Sequence, residues 1–178
     1  MKIVVVVGMP ASGKNIARMF AQDNGVPYFA TGDIVRLEVK NRGLEADAAN
    51  TARVSDELRG EDGLGVTRRA LATALSQDSD VVFIEGMRSM PEIELIRKGA
   101  PAVVVAFLAP RVLRRERVMS RGRADDSADA FEDRDMREIS YGTALPIALA
   151  DEYIINTGTM EDAIGQLETI IRRHTGHS

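Results

Sequence analysis

Five consecutive apolar residues, Ile3-Val4-Val5-Val6-Val7, run straight into Gly8-Met9-Pro10-Ala11-Ser12-Gly13-Lys14-Asn15-Ile16. No other stretch constrains the fold so tightly. β-Branched residues without polar alternation suit a strand buried on both faces, which is the situation inside a parallel sheet. The glycines that follow permit a tight turn whose N–H groups point inward. A helix beginning near Lys14 adds its positive end, so Gly8-x-x-x-x-Gly13-Lys14 between strand and helix predicts a cradle for the phosphates of a nucleotide triphosphate. Lys14 is the side chain expected to reach the terminal phosphates.

The rest of the chain repeats the alternation. Apolar runs at Ile3–Val7, Val81–Ile84, Ala102–Phe107 and Tyr153–Ile155, with a weaker one at Val26–Ala30, predict five strands. Helical patterns separate them at Lys14–Asn24, Asp33–Arg42, Asp47–Leu58, Gly65–Ser76, Pro91–Arg97, Arg111–Ser120, Asp129–Ser140 and Met160–Arg173. Strands alternating with helices imply an α/β fold with a parallel sheet and ligands at the carboxyl ends of its strands. With 178 residues, the chain suits a single domain, 1–178. The unusually long helical segment 31–77 reads as an inserted subdomain over the site.

Composition narrows the class. There is no cysteine, hence no disulfide framework and no thiolate metal site. No apolar run approaches a membrane span, and Met1-Lys2 is not followed by a secretory cleavage pattern, so a cytoplasmic protein without a membrane partner is expected. A net charge of −4 argues against a nucleic-acid partner. Against that acidic background, Arg111, Arg114, Arg115, Arg117, Arg121 and Arg123 crowd one short stretch. No aromatic residues lie nearby for base stacking, so a phosphate clamp explains the cluster better than a nucleic-acid surface.

Asn15 stands where such a loop ordinarily carries a Mg²⁺-binding hydroxyl, and Ile16 offers no polar group. Glu85, closing the run Val81–Ile84, is the carboxylate placed to share the metal, the alternatives being a helix cap or a surface charge. Asn15 and Glu85 are therefore the candidate metal residues, in part through water.

"ATGDIVRLEV", after the weak strand, resembles the nucleoside monophosphate kinase family of P-loop kinases, adenylate kinase and UMP/CMP kinase in particular. Thr31, Gly32, Asp33 and Arg36 stand at the places of that family's acceptor-binding segment, and "IEGMRS" supplies Glu85, Gly86 and Arg88. Pro110, Arg117 and Arg121, then "RGRADD" with Arg123, then Arg134, are similar to the family's lid progression. "NTGTMEDA" lies where its nucleotide-base loop does, which brings in Thr159. The chain is most similar to the adenylate-kinase-related proteins of archaea. The resemblance implies a three-layer P-loop NTPase fold: a five-stranded parallel sheet with helices on both faces, a helical acceptor-binding insertion and a short lid at 122–127 within 110–140. It implies ATP and Mg²⁺ as cofactors and a nucleoside monophosphate or similar small-molecule phosphate acceptor.

The residue roles follow from that resemblance. Arg36 and Arg88 would grip the acceptor phosphate, while Lys14, Arg117, Arg121, Arg123 and Arg134 would screen the phosphoryl group in flight. Charge spread over equatorial oxygens is what a planar guanidinium fork neutralises well. Glu92 falls where adenylate kinase uses a Gln to read adenine, and a carboxylate accepts hydrogen bonds but cannot donate one. Arg111, Arg114 and Arg115, with Glu116 interleaved, read as a solvated helix face, and Arg137 as a possible assistant to Arg134. Asp33 reads equally as a helix cap or a partner of the phosphate loop, and Asp125 and Asp126 as a helix cap and a lid ion pair. Met87, Met90, Met119 and Met136 read as packing residues, and His174 and His177 as parts of a polar tail. Three functions stay open: a nucleotide kinase, a kinase of another small molecule such as dephospho-coenzyme A, and a non-catalytic ATP-binding switch.

Overall fold

The computed structural model describes residues 1–121 and 127–176, Arg121 by its backbone only. Five strands form one sheet in the order β2-β3-β1-β4-β5. They are β1 (Lys2–Val7), β2 (Tyr28–Ala30), β3 (Val81–Glu85), β4 (Ala102–Leu108) and β5 (Glu152–Ile155), and every pairing is parallel. Central β1 registers Val4 against Phe83 on one side and against Val103 on the other.

The unbroken apolar character of β1 has a direct cause. Successive side chains point to opposite faces of a strand, and helices cover both faces here. Ile3, Val5 and Val7 join Val82, Ile84, Val104 and Ala106 in one core, closed by α4 (Gly65–Leu75) and α5 (Met90–Gly99). Val4 and Val6 join Phe83, Val103, Val105 and Phe107 in the other, closed by α1 (Asn15–Asp23) and α9 (Met160–Thr175). Burying both faces leaves no place for a polar residue between Ile3 and Val7.

The segment 31–77 holds α2 (Thr31–Asn41), α3 (Ala48–Arg59) and α4. Val35, Val39, Val54, Leu58 and Val66 make a small third core among these helices. α4 also gives Ala70, Leu71 and Ala74 to the main core, so the segment is rooted chiefly through α4, while α2 and α3 rest on the smaller cluster with Ile34 of α2 touching the main one.

Beyond β4 come α6 (Arg111–Arg121), α7 (Ala128–Ser140) and α8 (Ala144–Ala148). The short α8 has no counterpart in the sequence pattern: five residues around a buried Pro146 carry no readable period. The strand expected at Val26–Ala30 starts at Tyr28, after Pro27, which lacks the donor a ladder needs. Met87 is buried as expected, but Met119 and Met136 are exposed on α6 and α7 and pack no core. Among the described residues, no helix is long and apolar enough to cross a membrane.

Candidate nucleotide and acceptor site

β1 ends in the loop Gly8–Lys14, and α1 starts at Asn15. The loop owes its shape to positive-φ backbones at Gly8, Ala11 and Gly13 and to a clamp from beyond β5 and from α6. Gly13 has φ +107°, and a Cβ there would lie 2.0 Å from Asn156 Nδ2. Asn156 is buried just past β5 and donates that amide N–H to the Ser12 carbonyl at 2.8 Å. Ala11 holds φ +59° without being glycine, a conformation an L-residue keeps only where its surroundings impose it. The surroundings are plain: Arg117 donates to the Ala11 carbonyl at 3.3 Å and to the Asn156 carbonyl at 2.8 Å.

Lys14 turns back onto its own loop, its Nζ donating to the carbonyls of Gly8 at 2.7 Å and Met9 at 3.1 Å. Burial pulls its pKa below the ordinary lysine value, against the carboxylates of Glu85 and Glu138, which favour the charged form. Among the described residues the buried Ser12 hydroxyl has no hydrogen-bond partner. Such a group costs free energy until something satisfies it. A loop with such a hydroxyl and with an ammonium hydrogen-bonded to its own carbonyls fits a phosphate chain.

Two cavities meet at this loop. The larger, about 550 Å³, is bounded by Gly13, Lys14, Asn15, Ile16 and Glu85 on one side and by Arg117, Asn156, Gly158 and Met160 on the other. The smaller, about 230 Å³, lies between Gly8, Pro10 and Lys14 and the group Glu85, Gly86, Arg88, Glu138 and Thr143. Lys14 and Glu85 border both.

The chain matches the family model described as an AAA domain over residues 7–132. A UPF0200 protein of Methanosarcina mazei is 39% identical over 166 residues, covering 90% of this chain and 89% of the relative. The chain belongs to the UPF0200 family and carries an AAA domain. In fold it is similar to TT1252 from Thermus thermophilus, at TM-score 0.70 and 18% identity over 96% of both chains. It is also similar to shikimate kinase from Acinetobacter baumannii, at TM-score 0.56 and 18% identity over 97% of this chain and 93% of the other. The fold of this UPF0200 chain, a five-stranded parallel sheet with helices on both faces, is shared with these two solved structures.

Within it, the residues named from sequence fall into three groups. Gly8, Lys14, Asn15, Ile16, Arg117, Glu85, Gly86 and Arg88 do line the paired cavities. Gly86 has φ +105°, and a Cβ there would meet Thr31 Oγ1 at 2.1 Å, so only glycine lets Thr31 pack against the end of β3. Arg88 pairs with Glu138 at 3.1 Å and stacks on Tyr141 at 4.9 Å. Asn15 is exposed, and Glu85 accepts the Tyr28 hydroxyl at 2.7 Å. Burial, with Glu85 beside it, pushes the Tyr28 phenol up and keeps it neutral. No cluster of three or more His, Cys, Asp or Glu able to hold a metal occurs among the described residues.

A second group is engaged inside the protein. Glu92, expected at the acceptor base, is buried at 4% exposure and accepts from the Arg88 and Ser89 backbones, the Ser89 hydroxyl and the Thr67 hydroxyl. It caps α5 and ties that helix to α4. Thr159 caps α9 reciprocally with Asp162, leaving its neighbours Gly158 and Met160 on the cavity wall. Asp33 pairs with Arg18 at 2.7 Å and with Arg36, and these guanidiniums hold its carboxyl below the usual range against the opposing effect of burial. Arg114, expected on a solvated face, is 5% exposed and bound to Asp135.

The third group lies outside the described residues: Arg123, Asp125, Asp126, His177, the Arg121 side chain and nearly all of the lid 122–127. Arg134 sits half-buried on α7.

Sequence reasoning missed Asn156, Arg18, Tyr28, Asp135 and Glu138. Asn156 had a signal, as the first polar residue after an apolar strand run. The others needed the fold to bring α1, β2 and α7 to one place.

Proposed function

We propose that the protein is an ATP-dependent phosphotransferase that passes the terminal phosphoryl group to a small phosphorylated acceptor, a nucleoside monophosphate being the first choice. The observation that carries this reading is the pair of cavities sharing Lys14 and Glu85, with Arg117 on the larger and Arg88 on the smaller. A donor phosphate chain in the first and an acceptor in the second would meet beside the Lys14 ammonium.

Gly8 to Ile16, with Arg117, would hold the triphosphate through backbone N–H groups, the Ser12 hydroxyl and Lys14. Asn15 and Glu85 would supply the protein's share of Mg²⁺ coordination, the phosphates and water the remainder. A metal held there would supply neutralisation of phosphate charge. Arg88 would leave Glu138 for the acceptor phosphate, and Arg36, an exposed side chain on α2, would close on it from the insertion. An acceptor phosphate is already a competent nucleophile, so alignment and charge screening are the residues' work and no covalent intermediate is needed. Closure of α2 and α3 over the site would exclude water.

One observation favours a second reading, a kinase of another small molecule. With Glu92 committed to capping α5, the position that reads adenine in adenylate kinase does not face the cavity. AMP is then no better an acceptor than CMP, UMP or dephospho-coenzyme A. The deciding experiment measures ADP formation from ATP and Mg²⁺ across the nucleoside monophosphates, dephospho-coenzyme A and shikimate. Turnover with one monophosphate well above the others supports the first reading. ATP binding without ADP formation on any acceptor replaces both with a nucleotide-responsive switch.

A further inference from the structure

Arg114 is the least expected residue in the molecule. It lies on α6, is 5% exposed, and faces Asp135 of α7, itself 2% exposed. Its two terminal nitrogens reach the two carboxylate oxygens at 2.5 and 2.7 Å. One of them also donates to the Pro10 carbonyl at 3.0 Å. Phe131, fully buried one turn before Asp135, packs its ring 5.4 Å from the same guanidinium.

A buried ion pair of this kind is weak evidence for stability, because desolvation offsets most of the attraction. Its geometry is more informative. Arg114 and Arg117 sit one turn apart on α6 and take successive carbonyls of the phosphate loop, Pro10 and Ala11. Ala11 is the non-glycine residue with φ +59°. α6 therefore grips the loop at the point where its backbone is strained, and Asp135 fixes the guanidinium that supplies half of the grip.

We infer that Arg114 and Asp135 form a positioning strut that holds the Pro10–Ala11 turn in its phosphate-accepting shape and sets α6 and α7 relative to it. Neither residue lines the two cavities, so the strut acts through the loop and through Arg117. The inference rests on the proposed nucleotide site for its functional consequence, but the strut itself is testable without a nucleotide.

The test replaces the pair by apolar groups of similar reach, Arg114→Met with Asp135→Leu, in the full chain. An apolar replacement of a whole buried pair is commonly tolerated, whereas loss of one partner strands a charge. The double variant is expected to keep a melting temperature within a few degrees of the parent. Amide hydrogen exchange at Met9 and at Ala11 to Lys14 is expected to accelerate at least tenfold, with β1 unchanged. Affinity for a non-hydrolysable ATP analogue, by calorimetry, is expected to fall about tenfold. Unchanged exchange in the loop overturns the strut, whatever the nucleotide does. Faster exchange in a protein whose parent binds no ATP analogue upholds the strut and overturns the nucleotide site instead. If the double variant does not fold, Arg114→Lys decides on the same exchange readout, because an ammonium cannot give two bonds to the carboxylate and one to Pro10 in the same geometry.

Discussion

The two sides of the cleft are built differently. On one side, the loop Gly8–Lys14 is held by Asn156, just past β5, and by Arg114 and Arg117 of α6, and each contact ends on a loop carbonyl. On the other side, α2 and α3 share a five-residue core with Val66 of α4, and their polar contacts include surface ion pairs such as Arg36 with Asp33 and Arg42 with Glu57. Exposed ion pairs contribute little, so α2 and α3 rest mainly on that small apolar cluster, with Ile34 and Thr31 among their contacts to the main body. Under the proposed function these are the donor and the acceptor sides, and the contrast is a division of labour: a triphosphate needs a fixed array of donors, while an acceptor site that closes must be cheap to move.

The largest effect that would break this contrast is at Lys14. Lys14→Ala is expected to lower kcat by about two to three orders of magnitude, in the range found when a preorganised electrostatic donor is removed, with the melting temperature unchanged or raised. Initial rates with the best acceptor check it, and a milder loss would mean the loop does not govern transfer. Next in size, Leu58→Ala on α3 removes a side chain that is 7% exposed in the small core. A buried Leu→Ala change costs about 2–5 kcal/mol. The cost is expected to appear as faster hydrogen exchange in α2 and α3, with affinity for an ATP analogue retained; an equal loss of ATP affinity would show the two sides to be one unit.

Two smaller effects sharpen the picture of the donor side. Because Lys14 has its pKa below the ordinary value of 10.5, ATP affinity is expected to decline with rising pH earlier than an exposed lysine would dictate. The sign for stability is opposite. The folded chain releases this proton first, so between the folded pKa and 10.5 it gains stability as pH rises. Calorimetry from neutral to alkaline pH measures the first effect, and Lys14→Arg should flatten it. Smallest is Asn15→Thr, which restores a hydroxyl at the start of α1. Turnover at limiting Mg²⁺ is expected to rise a few-fold, and an unaltered Mg²⁺ dependence would take Asn15 out of the metal shell.

How much was legible in the sequence can be read from particular residues. Ile3–Val7 and the glycine loop announced a buried parallel strand and a phosphate cradle because strand period and glycine conformation are local properties. The polar partners were less visible. Arg114 and Arg117 belong to one arginine-rich helix; one is buried in an ion pair and the other borders the cavity, and no spacing distinguishes the two roles. Glu92 looked like a base reader because its position matched one, yet Ser89, three residues earlier, makes it a helix cap.

By itself, then, the sequence determined an α/β fold, the place of its phosphate loop and the arginine-rich character of its site, since these rest on backbone propensity and on the burial of apolar faces. Only the tertiary structure decided which charges are paired, which carbonyls they hold and which carboxylates face the cleft. Those outcomes depend on residues far apart in the chain, such as Asn156 with Ser12 and Asp135 with Arg114, whose pairing is set by how the helices pack across the sheet.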